Sequence, residues 1–171
     1  MQALIHRLEK ISEQSGRALA WLTLLMVLIT FLVVVLRYLF DTGSIALQES
    51  VTYLHAFVFM LGAAYTLKHE GHVRVDIFYR NMSPQKKARV DFFGCLLLLI
   101  PVCLFITYSS WDYVLTSWSL MEGSQEAGGL PFVYLLKTSM LLMTLFILIQ
   151  GLAQLLRAWQ QWRYPQADIN G

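Results

Sequence analysis

The sequence is poor in charged residues. Only 14% of its 171 residues are Asp, Glu, Lys or Arg, and 57% are hydrophobic, whereas soluble domains carry about 25% charged residues. Most of the chain therefore cannot face water. The formal net charge of +2 is also too small to indicate a nucleic-acid-binding surface.

Cysteine is scarce as well, which excludes a disulfide framework. The two cysteines, Cys95 and Cys103, would lie about 12 Å apart along a helix axis, too far apart to bond to each other. The sequence also lacks a glycine-rich phosphate loop, a nucleophile–base motif and a CxxC redox motif. We therefore predict that the chain is not an enzyme and that it holds no metal and no organic cofactor of its own.

What the sequence has instead is four long apolar runs, over about residues 18–37, 45–67, 85–110 and 131–156. About 20 apolar residues suffice to cross a bilayer as a helix. We predict an all-α polytopic membrane protein, with residues 1–171 forming a single membrane domain that contains four transmembrane helices. Pro101, inside the third run, predicts a kink. The first run is too long for a cleaved signal peptide and lacks a cleavage site, so we expect it to remain in the protein.

The segment before the first run has a different pattern. Within residues 1–16, charged residues lie opposite apolar residues that recur at helical spacing, namely Leu4, Ile5, Leu8 and Ile11. This pattern is typical of a short amphipathic helix that lies on the membrane surface. We predict a hinge at Ser15-Gly16 between this helix and the first span. A frayed, solvated N-terminus is the alternative.

Lysines and arginines are distributed unevenly between the segments that flank the spans. Most of them lie in the N-terminal segment, in the connection between the second and third spans, and in the C-terminal tail. The other two connections hold only Arg37, against the acidic residues Asp41, Asp112, Glu122 and Glu126. Because basic loops stay in the cytoplasm, we predict that both termini and the basic connection are cytoplasmic.

A polar stretch in the basic connection, EGHVRVDIFYR at residues 70–80, is flanked by almost purely apolar sequence. Its residues His72, Arg74 and Asp76 alternate with apolar residues. This two-residue period predicts an extended segment over residues 72–77 with one apolar side against the membrane or a partner. The spacing of its possible ligands does not match that of a zinc site.

Three ionisable residues, Arg37, Glu49 and Lys137, lie near the ends of predicted spans on one side of the membrane. Arg37 and Lys137 are long enough to reach water, whereas a lone Glu49 carboxylate at that depth would be costly. We therefore predict an ion pair between Glu49 and Arg37 or Lys137, within the chain or with a partner. The alternative is a proton- or cation-coupling site at Glu49, which we would expect nearer the midplane.

One face of the second predicted helix carries mostly small and polar residues at spacings of three and four, namely Gln48, Thr52, His55, Phe59, Gly62 and Thr66. Such a stripe is typical of helix packing in membranes, so we predict that it contacts the rest of the bundle or a partner subunit. Haem ligation by His55 is the alternative, and it would require a second axial histidine.

The loop at residues 118–131 is acidic, contains glycine and has no lysine or arginine. Its acidic residues are Glu122 and Glu126. This composition is compatible with a docking surface for a soluble periplasmic protein, and equally with an ordinary connection between two spans.

Taken in order, these motifs resemble those of a known family. Gln48-Glu49 opens the second helix, GAA follows at residues 62–64 and GHVRVD at 71–76, and Ser83-Pro84 begins the third helix. Together with SQEAGGLP at 124–131 and Lys137, they resemble the small membrane subunit, of the DctQ type, of tripartite ATP-independent periplasmic (TRAP) transporters.

The resemblance implies a scaffold subunit in the bacterial inner membrane. Such transporters import organic acids, either carboxylates or sugar acids, with a sodium gradient. A periplasmic binding protein captures the substrate, and a large membrane subunit binds the substrate and the coupling sodium and moves as an elevator.

By the same resemblance, this chain binds no substrate, supports the large subunit, helps to dock the binding protein and has lipid at its interfaces. The family's motif positions correspond here to Glu49, Gly71, His72, Arg74, Val75 and Asp76, and the resemblance implies that they are structural or interface residues. Two other functions remain open: a self-sufficient, homo-oligomeric transporter or channel using Glu49, and a haem- or quinone-binding membrane anchor using His55.

Overall fold

The computed structural model describes residues 2–71 and 76–164. Of these described residues, 84% are helical, and none is in a strand. The elements are α1 (Gln2–Leu39), α2 (Ile45–Lys68), the single turn α3 (Asp76–Tyr79), α4 (Pro84–Gly94), a π-helical turn (Cys95–Leu99), α5 (Ile100–Ser119) and α6 (Val133–Arg163). The all-α prediction is therefore confirmed.

Four helical stretches in the described ranges are long and apolar enough to cross a membrane, namely α1, α2, the continuous stretch from α4 to α5, and α6. Each predicted span falls within one of these stretches, apart from the first two residues of the fourth. α1 has 38 residues and α6 has 31. These lengths correspond to about 57 and 46 Å, well above a hydrocarbon thickness of about 30 Å, so both helices must project beyond the hydrocarbon.

α6 is the central helix of the bundle. It packs against α1, α2, α4 and α5, whereas α1 packs mainly on α2. The residues that α6 buries are mostly small or polar, namely Ser139, Thr144, Gln150, Gly151, Ala153 and Ala158. Large apolar residues such as Phe31 and Phe105 instead remain exposed. Small residues between helices and large apolar residues on the outside are the pattern expected of a membrane bundle.

The predicted hinge at Ser15-Gly16 is wrong, because α1 continues through both residues. A Cβ atom at Gly16 would lie 2.6 Å or less from three ring carbons of Tyr65. Glycine here permits a close approach of α1 to α2, and it does not mark a bend. The segment before it contacts protein as well, since Ser12 Oγ donates a hydrogen bond to buried Gln150 Oε1 (2.8 Å). Its location at the membrane surface stays a prediction.

The segment that the alternating pattern predicts as extended is described only in part. His72, Arg74 and Val75 lie outside the described residues. Asp76 and Ile77 belong to α3, so the prediction of an extended conformation is wrong for these two residues. A tertiary contact favours the helical turn, because the Tyr79 hydroxyl donates a hydrogen bond to Asp91 of α4 (2.6 Å).

At Pro101, where the sequence predicts a kink, the helix contains the π-helical turn immediately upstream. The Ile100 N–H bonds to the Cys95 carbonyl, five residues back. Proline has no N–H to continue the regular ladder, and a π-helical turn absorbs such a mismatch. Cys95 and Cys103 are free and buried, and the Cys95 thiol donates to the Gly151 carbonyl of α6 (3.1 Å).

Candidate functional site

Polar side chains gather at the two ends of the bundle. We call the end that holds the N-terminal part of α1, the connection from α2 to α4, and the C-terminal part of α6 the basic end. The opposite end, with the α1–α2 connection and the loop from Leu120 to Phe132 between α5 and α6, is the loop end. Each end contains a cluster of paired groups.

At the loop end, Glu49 of α2 anchors the loop between α5 and α6. One carboxylate oxygen accepts a hydrogen bond from the Ser124 hydroxyl, and the other accepts one from the Leu130 N–H (2.6 Å). A Cβ at Gly129 would lie 2.8 Å from Glu49 Oε1 and closer still to Ser124. The loop therefore needs glycine at this position in order to close over the carboxylate.

The predicted ion pair between Glu49 and Arg37 or Lys137 is wrong within the described part of this chain. The neutral donors of Ser124 and Leu130 satisfy the carboxylate without a cation. Arg37 is exposed in the last turn of α1. Its positive charge there is favoured by the partial negative charge of the carbonyls at a helix C-terminus.

Lys137 pairs with a different carboxylate, that of Glu122 in the loop. Its Nζ lies 2.5 Å from Glu122 Oε2 and 3.9 Å from the centre of the Tyr113 ring. Glu122 also accepts a hydrogen bond from the Ser117 hydroxyl (2.6 Å). The hydrogen bonds from Lys137 and Ser117 lower the pKa of Glu122, so this residue is a charged, internally paired group at neutral pH.

The loop itself is folded by its own backbone. The Ser124 N–H donates to the Leu130 carbonyl (2.9 Å), and the Gly129 N–H donates to the Glu126 carbonyl (3.0 Å). Gly128 has a φ of +81°, a left-handed conformation that favours glycine. Glu126 remains exposed on the outside of this folded loop, whereas Glu122 is turned towards the bundle.

The stripe predicted on α2 divides into two halves. Nearest the basic end, Gly62 faces Leu19 of α1, with 3.8 Å between an added Cβ and the Leu19 Cδ1 atom, and Thr66 is partly buried. The remaining members, Gln48, Thr52, His55 and Phe59, are exposed. The stripe therefore packs within the chain at one end and forms an open face at the other.

His55 lies in the open half of the stripe, and its ring stacks on the Phe59 ring at 6.4 Å between centres. No hydrogen bond to the His55 ring occurs within residues 2–71 and 76–164. The nearest described histidine along α2, His69, is 14 residues further on, or about 21 Å. This distance is too long for two axial ligands of one haem.

At the basic end, charged residues of three helices pair with one another. Glu13 of α1 contacts Lys68 Nζ (2.5 Å) and His69 Nε2 (3.1 Å) at the end of α2. Glu9 pairs with Arg157 of α6. The Gln154 amide of α6 also donates a hydrogen bond to the Leu67 carbonyl of α2 (3.0 Å). These contacts bind α1, α2 and α6 together beyond the apolar part of the bundle.

Sequence reasoning missed this second cluster, because it assigned Glu9 and Glu13 to the solvated side of a surface helix. The sequence of α1 does contain a pattern that indicates this packing. Residues that contact other helices follow one another at spacings of three and four, namely Ile5, Glu9, Ser12, Gly16 and Leu19. This stripe crosses the predicted hinge without a break and indicates one continuous packing face.

Gly71 ends α2 in a Schellman motif. The Gly71 N–H donates to the Thr66 carbonyl (2.9 Å), and the Glu70 N–H donates to the Leu67 carbonyl (3.3 Å). Glu70 occupies the left-handed position of the motif, with a φ of +54°. A Cβ at Gly71 would approach Thr66 Cγ2 to 3.0 Å, so a larger residue here would require Thr66 to shift.

Four helices that are long and apolar enough to cross a membrane, with paired polar groups at both ends, define a multi-pass membrane protein. The family described as tripartite ATP-independent periplasmic transporters, DctQ component, matches residues 26–161. The chain belongs to this family, and the resemblance drawn from its motifs is confirmed.

Two relatives are similar over about half of this chain. One is the "C4-dicarboxylate TRAP transporter small permease protein DctQ" of Vibrio cholerae, 25% identical over 88 residues, which cover 52% of this chain and 38% of that protein. The other is a "Putative TRAP transporter small permease protein" of Haemophilus influenzae, 33% identical over 87 residues, which cover 51% of this chain and 53% of that protein. The chain thus spans about half or less of the length of each relative.

Proposed function

We propose that the chain is the small scaffold subunit of a sodium-coupled secondary transporter that imports organic acids. In this proposal a periplasmic binding protein delivers a carboxylate or sugar acid, and a large membrane subunit carries the substrate and the coupling sodium. Family membership supports the role as a subunit. The name of the Vibrio cholerae relative, which mentions C4-dicarboxylates, supports the class of substrate.

The observation that carries the proposal is the open half of the α2 stripe. Gln48, Thr52 and His55 are exposed on a helix that is long and apolar enough to cross a membrane. Hydrocarbon offers no hydrogen bonds to such groups, so polar side chains at this depth normally face protein or water. The Thr52 hydroxyl already donates to the Gln48 carbonyl (3.4 Å). We infer that the large subunit covers this face and supplies polar partners to the side chains of Gln48 and His55.

The folded loop at the loop end suits the second role, the docking of the binding protein. Glu49 holds the loop through Ser124 and Leu130, and Glu126 is exposed on it. A loop that is already ordered loses less conformational entropy when a partner binds. We infer that this loop presents a fixed acidic surface to the binding protein.

The state of Glu49 also favours a scaffold over a self-sufficient transporter. A coupling carboxylate must exchange its partners during each cycle, whereas both oxygens of Glu49 accept hydrogen bonds from the loop. A group satisfied in this way is suited to hold structure in place. The coupling-site alternative would require the loop to open and close with every transported ion.

Reconstitution into liposomes tests the proposal. The full chain, the large subunit and the binding protein should together accumulate a labelled dicarboxylate or sugar acid when a sodium gradient is imposed. We expect each single omission to abolish uptake. Accumulation of solute by liposomes that contain only this chain would overturn the proposal in favour of the self-sufficient transporter.

Co-purification tests the interface separately. We expect His55→Leu and Thr52→Leu, on the open face, to lower the yield of complex with a tagged large subunit several-fold. Phe105→Leu is the matched control, because Phe105 is 69% exposed on α5 and lies on a different surface of the bundle. Equal yields for all three variants would remove the open face as the interface.

Thiol labelling tests the orientation, for which we propose that both termini are cytoplasmic. The native Cys95 and Cys103 are only 6% and 4% exposed, so background labelling should be low. A membrane-impermeant maleimide should label Glu126→Cys in spheroplasts and should label Lys86→Cys only after lysis. The reverse order would show that the basic end faces the periplasm.

A further inference from the structure

A cleft of about 800 Å³ opens beside α6 at the basic end of the bundle. α2 and the α4–α5 stretch both pack on α6, and in the described part of the chain they share no extensive contact with each other. The face of α6 between them is therefore left uncovered. Gln150, Gln154 and Arg157 form its floor, Leu67 and Lys68 stand on one side, and Leu98 and Leu99 stand on the other.

The lining of the cleft changes from polar to apolar along its length. Lys68, Glu70 and Arg157 line the part at the basic end, whereas Leu98, Leu99 and Val102 line the part towards the middle of the bundle. From Val90 to Val102 the wall is twelve residues long, or about 18 Å. One leaflet of hydrocarbon is about 15 Å thick. The cleft therefore has the length and the polarity gradient of one lipid in one leaflet.

Gly94 in the wall supports a ligand in this cleft. The glycines at positions 16, 62 and 151 all face neighbouring side chains at van der Waals distance or closer, whereas a Cβ at Gly94 would meet nothing within 4 Å. Glycine is unfavourable inside a helix compared with alanine. Gly94 lines the cleft and mediates no close helix contact, so a side chain at this position would narrow the cleft.

The polar part of the cleft carries both signs of charge. Arg157 pairs with Glu9, yet its side chain is 52% exposed, and a guanidinium has five N–H donors. Glu70 is exposed at the rim, and its carboxylate has no hydrogen-bond or ion-pair partner among the residues that the structure describes. A donor for phosphate and a free carboxylate at one site complement a headgroup that carries both a phosphate and an ammonium.

We propose that this cleft binds one phospholipid whose zwitterionic headgroup ends in a primary ammonium, the chemistry of phosphatidylethanolamine. The phosphate accepts hydrogen bonds from Arg157, and the ammonium donates to Glu70. One acyl chain runs past Gly94 along Leu98, Leu99 and Val102. The lipid completes the bundle between α2 and the α4–α5 stretch, and this role does not depend on transport by the complex.

Native mass spectrometry of the full-length chain tests the proposal. The purified chain is supplied with equal amounts of dioleoyl phosphatidylethanolamine, phosphatidylcholine and phosphatidylglycerol. We expect one phosphatidylethanolamine to be retained per chain in preference to the other two. Preferential retention of phosphatidylglycerol, or retention of none of the three, would overturn the proposal.

A variant that fills the cleft separates a specific site from general lipid adhesion. Gly94→Leu should lower the retained phosphatidylethanolamine by about tenfold, because the new side chain occupies the acyl path. Leucine is a better helix former than glycine, so the thermal midpoint of the helical signal should not fall. Gly43→Leu is the matched control, because a Cβ there also meets nothing within 4 Å and the residue lies at the loop end. Equal retention by wild type and Gly94→Leu would refute the site.

Two headgroup variants test the assigned contacts. Arg157→Gln should weaken retention of all phospholipids, whereas Arg163→Gln, outside the cleft, should not. Glu70→Gln should remove the preference for phosphatidylethanolamine over phosphatidylcholine and leave total retention nearly unchanged. If Glu70→Gln kept the preference for phosphatidylethanolamine over phosphatidylcholine, the ammonium would not contact this carboxylate. The proposed headgroup would then be wrong.

Discussion

At the basic end of the bundle, charged side chains of three helices pair directly with one another, whereas at the loop end a single carboxylate of α2 is covered by a folded loop. Glu9 and Glu13 of α1 contact Arg157 of α6 and Lys68 of α2. Glu49 instead accepts hydrogen bonds from neutral groups of the α5–α6 loop. The first arrangement ties helices to one another, whereas Glu49 ties the loop to α2, and the pair of Glu122 with Lys137 ties the same loop to α6.

This difference bears on the proposed interfaces with partners. The last buried residue of α1 is Leu19, so beyond it towards the loop end α1 adds little to the core. The same half of the bundle carries the open face of α2 and the folded loop. In the function proposed above, the basic end holds α1, α2 and α6 together, and the loop end carries the surfaces that the other subunits contact.

The largest expected effect is on the contact between α1 and α2 near the basic end. Gly16→Ala would place a Cβ against the Tyr65 ring, and this ring also packs on His69 at 4.4 Å between centres. We expect a loss of about 2 kcal/mol in the free energy of unfolding, the usual cost of overpacking. Thermal or denaturant unfolding in detergent measures it.

Gly43→Ala is the control for this prediction, because a Cβ at Gly43 meets nothing within 4 Å. It should leave the unfolding midpoint nearly unchanged. Similar midpoints for Gly16→Ala and Gly43→Ala would show that α1 is not held as tightly at the basic end as the structure implies.

The second prediction concerns the loop end. Glu49→Gln keeps the shape of the side chain and removes its charge, which weakens the hydrogen bonds from Ser124 and Leu130. We expect hydrogen exchange of the Leu130 N–H to accelerate roughly tenfold or more, and proteolysis within the loop to become faster. The basic end should be unaffected, so exchange at Gly71 should stay as in wild type.

Glu126→Gln is the matched variant, because it removes a carboxylate from the outside of the same loop. In this variant, hydrogen exchange of the Leu130 N–H and proteolysis within the loop should proceed at the wild-type rates. If Glu126→Gln loosened the loop as much as Glu49→Gln, the anchoring role assigned to Glu49 would be lost.

Hydropathy and motif order were sufficient to predict the four helices and the family, because the length of an apolar run is a local property. The partners of the charged residues were harder to predict. Ser124 and Leu130 lie 75 and 81 residues from Glu49, and the Leu130 donor is a backbone N–H, which no residue type reveals. Charge alone favours Glu49 as the partner of Lys137, but in the structure Lys137 of α6 pairs with Glu122 of the loop (2.5 Å).

At the basic end, too, the partners of charged residues could not be predicted from the sequence. Glu9 and Arg157 are 148 residues apart, and the amphipathic pattern of residues 1–16 fits a helix on a membrane as well as a helix on a protein. Only the small residues Ser12 and Gly16 within the charged segment distinguish the two, because they permit close helix contact. Packing partners thus decide what a local pattern leaves open.

The third prediction concerns how the stability of the loop end depends on pH. The pKa of Glu122 is lowered from 4.5 by its hydrogen bonds to Lys137 and Ser117, so below about 4.5 the unfolded state binds more protons than the folded state. The stabilisation is fully present above 4.5 and is lost as pH falls through the lower, folded-state pKa. We expect the wild-type midpoint to fall across this window.

Glu122→Gln should lose this part of the pH dependence and should be less stable than wild type at neutral pH. Glu126→Gln, which leaves the Lys137 pair intact, should keep the wild-type slope. An unchanged slope in Glu122→Gln would mean that the pair with Lys137 does not form in solution, and the loop end would then depend on Glu49 alone.

The smallest expected effect is at the pair between Glu9 and Arg157, because the Arg157 side chain is 52% exposed. Exposed ion pairs contribute about 0.2–1 kcal/mol and are screened by salt. A double-mutant cycle with Glu9→Gln and Arg157→Gln should therefore give a coupling energy in this range, smaller at high salt. A coupling energy well above it would show that the pair is shielded from water in the folded bundle, and that the basic end owes its stability to charge as much as to the close packing of Ser12 and Gly16.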